Sequence, residues 1–346
     1  MTERSVHPPV GAGSLTPSSS APRPALTVPS LERRHPDRPL VVAIVGPTAT
    51  GKSALALALA ERFGGEIINC DSTAVYRGFD IGTDKVPALE QRGIPHHLVD
   101  VVEPTDVYTA ARYARDAVSI IRDTLARGRL PMIVGGTGFY YRALTRGLFP
   151  GPSADEALRS RLDRIAAARG PERLHRWLAR VDPASAARIQ PRDRKRLVRA
   201  LEVYLLTDRP LTDHFADTIS PLSFCDVVTV ALRIPAPFVA ERTRIRVDDQ
   251  FARGIVDEVK RLLASGVPGS ARPFGGLVYR QVMELLAGVR DEAATRALIA
   301  QENRRYARRQ LIWFRKEPNL SWFDGPGELP ATIATIERAL APLLPR

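Results

Sequence analysis

Apolar and polar positions along this chain switch between two registers, and each switch marks an element. "LVVAIV" at 40–45 is an unbroken apolar, mostly β-branched run ending at Gly46, the pattern of a strand buried on both faces of a parallel sheet. "SALALALAERFG" at 53–64 then predicts a helix ended by Gly64. "GEIINCDS" at 65–72 predicts a second strand with Asp71 just past its end, and "YTAARYARDAVSIIRDTLARGR" at 108–129 a helix. "LPMIVGGTG" at 130–138 predicts a third buried strand running into glycines. Strands alternating with helices in this way predict an α/β fold, a P-loop-type doubly wound and mostly parallel sheet. From about 150 to 207 the periodicity is purely helical, through "ADEALRSRLDRIAAARG", "PERLHRWLARVD", "PASAARI" and "RDRKRLVRALEVYLLTD". "DVVTVALRIP" at 226–235 restores a strand; helices are expected at about 236–265, 277–289 and 292–316, before "LSWFD" at 320–324.

These patterns divide the chain. Residues 1–38, rich in Pro, Ser, Gly and Arg, cannot bury enough apolar surface to offset their ordering entropy and are expected to be a disordered tail. They lack the apolar stretch of a secretory signal. The α/β core is expected at 39–149 and about 196–326, a helical insertion domain at about 150–195, and a C-terminal helix or tail at 327–346.

Composition narrows the function classes. No apolar run approaches the ~20 residues needed to span a bilayer, so no membrane partner is expected. Cys70 and Cys225 are the only cysteines, which excludes a disulfide framework or a Cys-rich zinc module and fits a reducing interior. The net charge of +12 suits a polyanion such as nucleic acid, although an Arg-rich genome composition gives the same excess.

"GPTATGKS" at 46–53 spells G-x-x-x-x-G-K-[ST], a phosphate-binding loop in the strand–loop–helix setting it requires. Gly46, Pro47, Thr48, Ala49, Thr50 and Gly51 would wrap backbone N–H groups around a phosphate at a helix N-terminus. Lys52 would supply a point charge, and the Ser53 hydroxyl a ligand for Mg²⁺. The motif leaves the ligand open. A nucleotide hydrolase would next need a strand ending in a metal-holding Asp, yet "PMIVGGTG" offers no carboxylate there. Asp71 stands instead after the second strand, as a turn or N-cap residue or as a functional group beside the loop.

Taken together, "GPTATGKS", "CDSTAVYRGFDIGTDK", "IPHHLVDVVEP", "IVGGTGFYYRAL", "RDRKRLVRALEVY", "RTRIRVDDQF", "LVYRQ" and "RRYARRQLIWFRK…WFD" resemble, in this order, the bacterial-type tRNA dimethylallyltransferases. The resemblance runs from about 40 to 324. It implies transfer of the dimethylallyl group of dimethylallyl diphosphate to N6 of the adenosine 3′ of the anticodon, in tRNAs reading codons that start with U. The cradle would then hold the donor's diphosphate, and an ATP-binding label would be formal. In chemical terms Asp71 is the expected general base for the amino proton. Loop amides, Lys52 and Mg²⁺ on Ser53 would stabilise the departing diphosphate. The resemblance adds Arg246 to that group, assigns Thr48 a contact with the donor or incoming base, and leaves Arg242, four residues before Arg246, to assist.

For the tRNA, the resemblance implies contacts from Asp71, Ser72, Thr73, Ala74 and Thr137, from Arg159, from Lys195, Arg196, Leu197, Val198 and Arg199, and from Gly275, Gly276, Leu277, Val278, Tyr279 and Arg280. Val278 departs from the glycine common in the family, so the backbone there is expected to differ. In "RRYARRQLIWFRK" the arginines Arg304, Arg305, Arg308 and Arg309 are expected to face RNA, with the aromatics partly core. His96 and His97 lack a partner nucleophile and read as fold residues. The protein is accordingly expected to be a cytoplasmic, monomeric enzyme whose partners are the tRNA anticodon stem-loop and dimethylallyl diphosphate. The alternatives are a P-loop kinase of nucleotides or small molecules, for which no adenine site is legible, and a non-catalytic RNA-binding protein.

Overall fold

The apolar run at Leu40–Val45 forms β1, every residue of it buried, and the phosphate-loop motif leads directly into α1 (Lys52–Phe63). The chain continues through β2 (Gly65–Asn69), the two-residue β3 (His96–His97), α2 (Ala110–Ala126), β4 (Leu130–Gly135) and α3 (Gly138–Thr145). The structure is a computed structural model and describes residues 30–344. A helical excursion follows, made of α4 (Glu156–Arg169), α5 (Pro171–Val181), α6 (Pro183–Arg188), α7 (Arg194–Thr207) and α8 (Leu211–His214). β5 (Asp226–Arg233) returns to the sheet. After it come α9 (Ala236–Ala252), α10 (Ile255–Ala264), α11 (Tyr279–Leu286), α12 (Glu292–Phe314), β6 (Leu320–Asp324) and α13 (Pro330–Leu340).

The strands form one six-stranded sheet, ordered β3-β2-β4-β1-β5-β6, with every pairing parallel. Its two-residue side-chain period sorts β1 between two cores. Val41, Ala43 and Val45 pack with Ile133, Ala231 and the aromatic layer of Phe79, Tyr113 and Phe314. Val42 and Ile44 face Met132, Val230 and the apolar side of α1, which α13 covers through Ile336 and Leu340. Burial of this kind contributes about 1.5–3 kcal/mol per Val or Ile side chain. At the edge, His97 Nε2 lies 2.8 Å from the buried carboxylate of Glu66, which also accepts from Arg127 at 2.6 Å. These contacts fasten β3 to α2, a sheet-edge role for His97.

The boundaries differ from expectation at two points. Residues 1–29 of the expected tail lie outside the described residues. Residues 30–38 are packed on the body: Leu31 is buried, Arg33 pairs with Asp226 at 3.3 Å, and Arg38 donates to the Ser223 carbonyl at 2.5 Å. A buried carboxylate at the start of β5 anchors a segment whose composition alone gave no sign of order. The helical unit also runs beyond 195. Leu162, Leu174, Leu178, Leu197 and Leu201 form its own core, so α7 belongs to the insertion and not to the α/β body.

That core takes in Leu197 and Val198, two of the residues expected to contact RNA. Both side chains are buried, at 0% and 6% exposure, because they lie on the inward stripe of α7. Leu197→Ala is expected to destabilise the helical unit by about 2–5 kcal/mol. A urea melt monitored by circular dichroism checks this, and an unchanged midpoint would contradict it.

Candidate active site

The carboxyl ends of β1, β4 and β2 bring three loops together, the position where parallel sheets bind ligands. The loop after β1 is the phosphate cradle. Gly46 has φ +140° and its Cα faces the Leu232 carbonyl so closely that an added Cβ would lie 2.5 Å from it. Gly51 caps α1 in the left-handed region at φ +82°. Thr50 Oγ1 closes the loop on the Pro47 carbonyl at 2.9 Å. The side chain of Gln310, from α12, accepts from the Thr48 amide at 2.8 Å and donates to the Gly136 carbonyl at 2.9 Å. One amide thus ties the cradle to the end of β4.

Around the cradle lies a cavity of about 710 Å³. Its walls include Thr48, Lys52, Ser53, Asp71, Arg242 and Arg246, so the expected catalytic residues share one space. Lys52 Nζ donates to the Pro47 carbonyl at 2.6 Å. Burial, reinforced by the neighbouring Arg246 and partly offset by Asp71, pulls its pKa down from 10.5 to about 7. The Arg246 guanidinium donates to Thr48 Oγ1 at 2.8 Å and pairs with Asp84. Arg242, one turn earlier on α9, donates to the Ala49 carbonyl at 2.6 Å and pairs with Glu328. Glu328 belongs to the segment joining β6 to α13, which is pinned to the cradle by Gly327 N–H donating to the Thr50 carbonyl at 2.9 Å.

The loop after β2 carries Asp71. Its Oδ1 accepts from the Thr73 amide at 2.8 Å and the Thr73 hydroxyl at 2.6 Å, while Asn69 Oδ1 accepts the Asp71 amide at 3.1 Å. Oδ1 of Asp71 thus organises the turn, and the residue also lines the cavity. Ser72 N–H donates to Thr137 Oγ1 at 3.1 Å, joining this loop to the one after β4. Gly276 approaches the Thr73 methyl, which brings the 275–280 segment beside the loop that carries Asp71.

The remaining expected tRNA residues separate by exposure. Lys195, Arg196, Gly275 and Arg280 are exposed. Arg159 and Arg199 both grip the fully buried Glu202; the bidentate Arg159 pair at 2.8 and 3.0 Å braces α4 against α7, while Arg199 reaches it within α7. Tyr279 and Val278 are buried; the Tyr279 hydroxyl donates to Glu258 at 2.6 Å and accepts from the Gly82 amide at 3.1 Å. Val278 sits at φ +77° and ψ −62°, a conformation suited to glycine, so the chain keeps the glycine-like backbone despite the β-branched side chain. On α12, Arg304, Arg305, Arg308 and Arg309 are exposed, while Tyr306 and Gln310 line the cavity and Phe314 is core. Asp84 and Glu328 carry no signal in the sequence, whereas Gln310 falls on a stripe with Tyr306 and Trp313 beside the arginines of α12. Asp84 lies within the quoted "IGTDK" block, but its pairing with a helix 162 residues away has no local signal.

Residues 74–317 match the IPP transferase family. The chain is 45% identical to the tRNA dimethylallyltransferase of Koribacter versatilis, over 85% of this chain and 96% of that one. It is 46% identical to the tRNA dimethylallyltransferase of Solibacter usitatus, over 88% and 99%. Among solved structures it is similar to the tRNA isopentenylpyrophosphate transferase of Bacillus halodurans, with TM-score 0.65 and 35% identity, covering 88% of this chain and 96% of the other. It is also similar to a eukaryotic dimethylallyltransferase acting on tRNA, with TM-score 0.75 and 28% identity, over 88% and 78%.

A pKa drawn down to about 7 gives Lys52 a larger share of neutral amine near neutrality than an exposed lysine has. Competitive acetylation read by mass spectrometry should titrate Lys52 near pH 7, and inorganic pyrophosphate should both protect it and move the titration upward. A titration near 10.5 without ligand would contradict this electrostatic account.

Proposed function

This chain belongs to the IPP transferase family, and on that footing we propose that it transfers the dimethylallyl group of dimethylallyl diphosphate to N6 of the adenosine 3′ of the anticodon, in tRNAs reading codons that start with U. The observation that carries this reading is the single cavity shared by the phosphate cradle and Asp71. A diphosphate ester seated in the cradle presents its allylic carbon to the same space that Asp71 lines. The base, held in an anticodon loop where it can be unstacked, enters from the rim formed by Ser72, Thr73, Thr137 and Gly276.

The reaction then follows from the groups in hand. The N6 lone pair forms the new bond to the allylic carbon, and the C–O bond breaks with its electrons passing to the diphosphate. The N6 proton moves to Asp71. As charge gathers on the leaving diphosphate, the loop amides, Lys52, Arg246 and the Thr48 hydroxyl meet it; preorganised donors of this kind are the chief source of such catalysis. Ser53 is exposed at the start of α1 and lines the cavity, which suits a Mg²⁺ held largely by diphosphate oxygens and water. When bound, that ion would neutralise part of the diphosphate charge. Arg304, Arg305, Arg308 and Arg309 lie on the outer face of the helix whose inner face lines the cavity, which supports contact with tRNA phosphates. Among the described residues no helix is long and apolar enough to cross a membrane. The enzyme acts as a monomer in the cytoplasm, where its tRNA substrate is.

Asp71→Asn retains an Oδ1 acceptor for Thr73 while removing the proton-accepting carboxylate. Single-turnover transfer is expected to fall about 10²–10⁴-fold, the usual range for a lost general base, with tRNA binding by filter retention nearly intact. A wild-type rate would remove Asp71 from the mechanism.

A further inference from the structure

Arg246 must meet a diphosphate in a defined orientation, and its own contacts set that orientation. Asp84 Oδ2 pairs with the guanidinium through Nε and Nη2, and Nη1 donates to Thr48 Oγ1. Of the five N–H donors of an arginine, two are left uncommitted among the described residues. Asp84 is itself held. Gln250, buried on the next turn of α9, donates to Asp84 Oδ2 at 2.7 Å, so one element supplies both the arginine and the group that steadies its partner. The loop carrying Asp84 is fixed as well: the Ile81 amide donates to the buried carboxylate of Glu258 at 2.9 Å, and the Gly82 amide to the Tyr279 hydroxyl.

We propose that Asp84 is a positioning residue for the departure of diphosphate: it holds Arg246 by one edge so that the remaining donors, together with Thr48, face the cradle. This rests on the functional reading above for the identity of the leaving group. Two physical consequences support it. An arginine lining a cavity that also holds Asp71 would otherwise be free to pair with that carboxylate and occupy the proton acceptor. A planar fork also gains bidentate phosphate contacts only when its rotation is restricted. A guanidinium already anchored along one edge loses little further freedom when the diphosphate arrives.

The test measures inorganic pyrophosphate binding by calorimetry, with thermal midpoints, for wild type, Asp84→Asn and Asp84→Glu, alongside transfer of labelled dimethylallyl to tRNA. Asp84→Asn should weaken pyrophosphate about tenfold, the order expected for a misdirected hydrogen bond to a charged group, and Asp84→Glu should restore most of it. A purely structural loss would instead lower the thermal midpoint and leave pyrophosphate no tighter in Asp84→Glu than in Asp84→Asn, which would contradict the proposal. Binding by Asp84→Asn as tight as, or tighter than, wild type would overturn the proposal, because Asp84 would then be no more than a competing counter-ion. If the pyrophosphate pattern holds while wild type transfers no dimethylallyl group, the positioning role stands and the functional reading falls.

Discussion

Three cations, Lys52, Arg242 and Arg246, meet at one phosphate-loop motif, and holding them together there is the constraint that shapes this site. The fold meets it locally. Lys52 donates to the loop's own carbonyl, Arg246 rests on Asp84 and Thr48, and Arg242 rests on Glu328 and the Ala49 carbonyl. Residual repulsion shows in Lys52, whose ammonium form is disfavoured by burial and by Arg246. Donors held in this way around a phosphate-type loop suit an anionic ligand such as a diphosphate.

The same convergence explains the architecture around the loop. α9 must run across the cradle to deliver two arginines one turn apart, and α12 must lie close enough for Gln310 to join the Thr48 amide to the end of β4. Because α12 also shows four arginines to solvent, a single helix connects the catalytic space to the basic face. The segment 80–84, anchored by Glu258 and Tyr279, then links the neighbourhood of the 275–280 rim to Arg246. Val278 carries a cost in this arrangement. A residue held at such a φ costs on the order of 1–3 kcal/mol, and its burial together with the pinned Tyr279 keeps it there.

Much of this could be read from the chain. The strands β1, β2, β4 and β5 announce themselves as apolar runs, and the cradle lies between a buried strand and a helix where the motif demands it. Asp71 was legible as an acidic residue after a neighbouring strand. What escaped was long-range or conformational. β3 is two residues long and has no periodicity to detect. The order in 30–38 depends on Asp226, almost two hundred residues on. The resemblance implies RNA contacts at Leu197 and Val198, yet their helical stripe faces leucines contributed by α4 and α5. Asp84 and Glu328 become functional candidates only because one distant helix, α9, carries arginines to both.

The central claim is that the glycine-rich cradle serves a prenyl diphosphate and not an energy nucleotide. Its most direct test offers the protein unmodified tRNA together with dimethylallyl diphosphate labelled in the prenyl group and ATP labelled at the γ-phosphate. The account predicts that the prenyl label moves to tRNA while the ATP stays whole. Cleavage of ATP or transfer of its phosphate, with the prenyl label left on its donor, would contradict it.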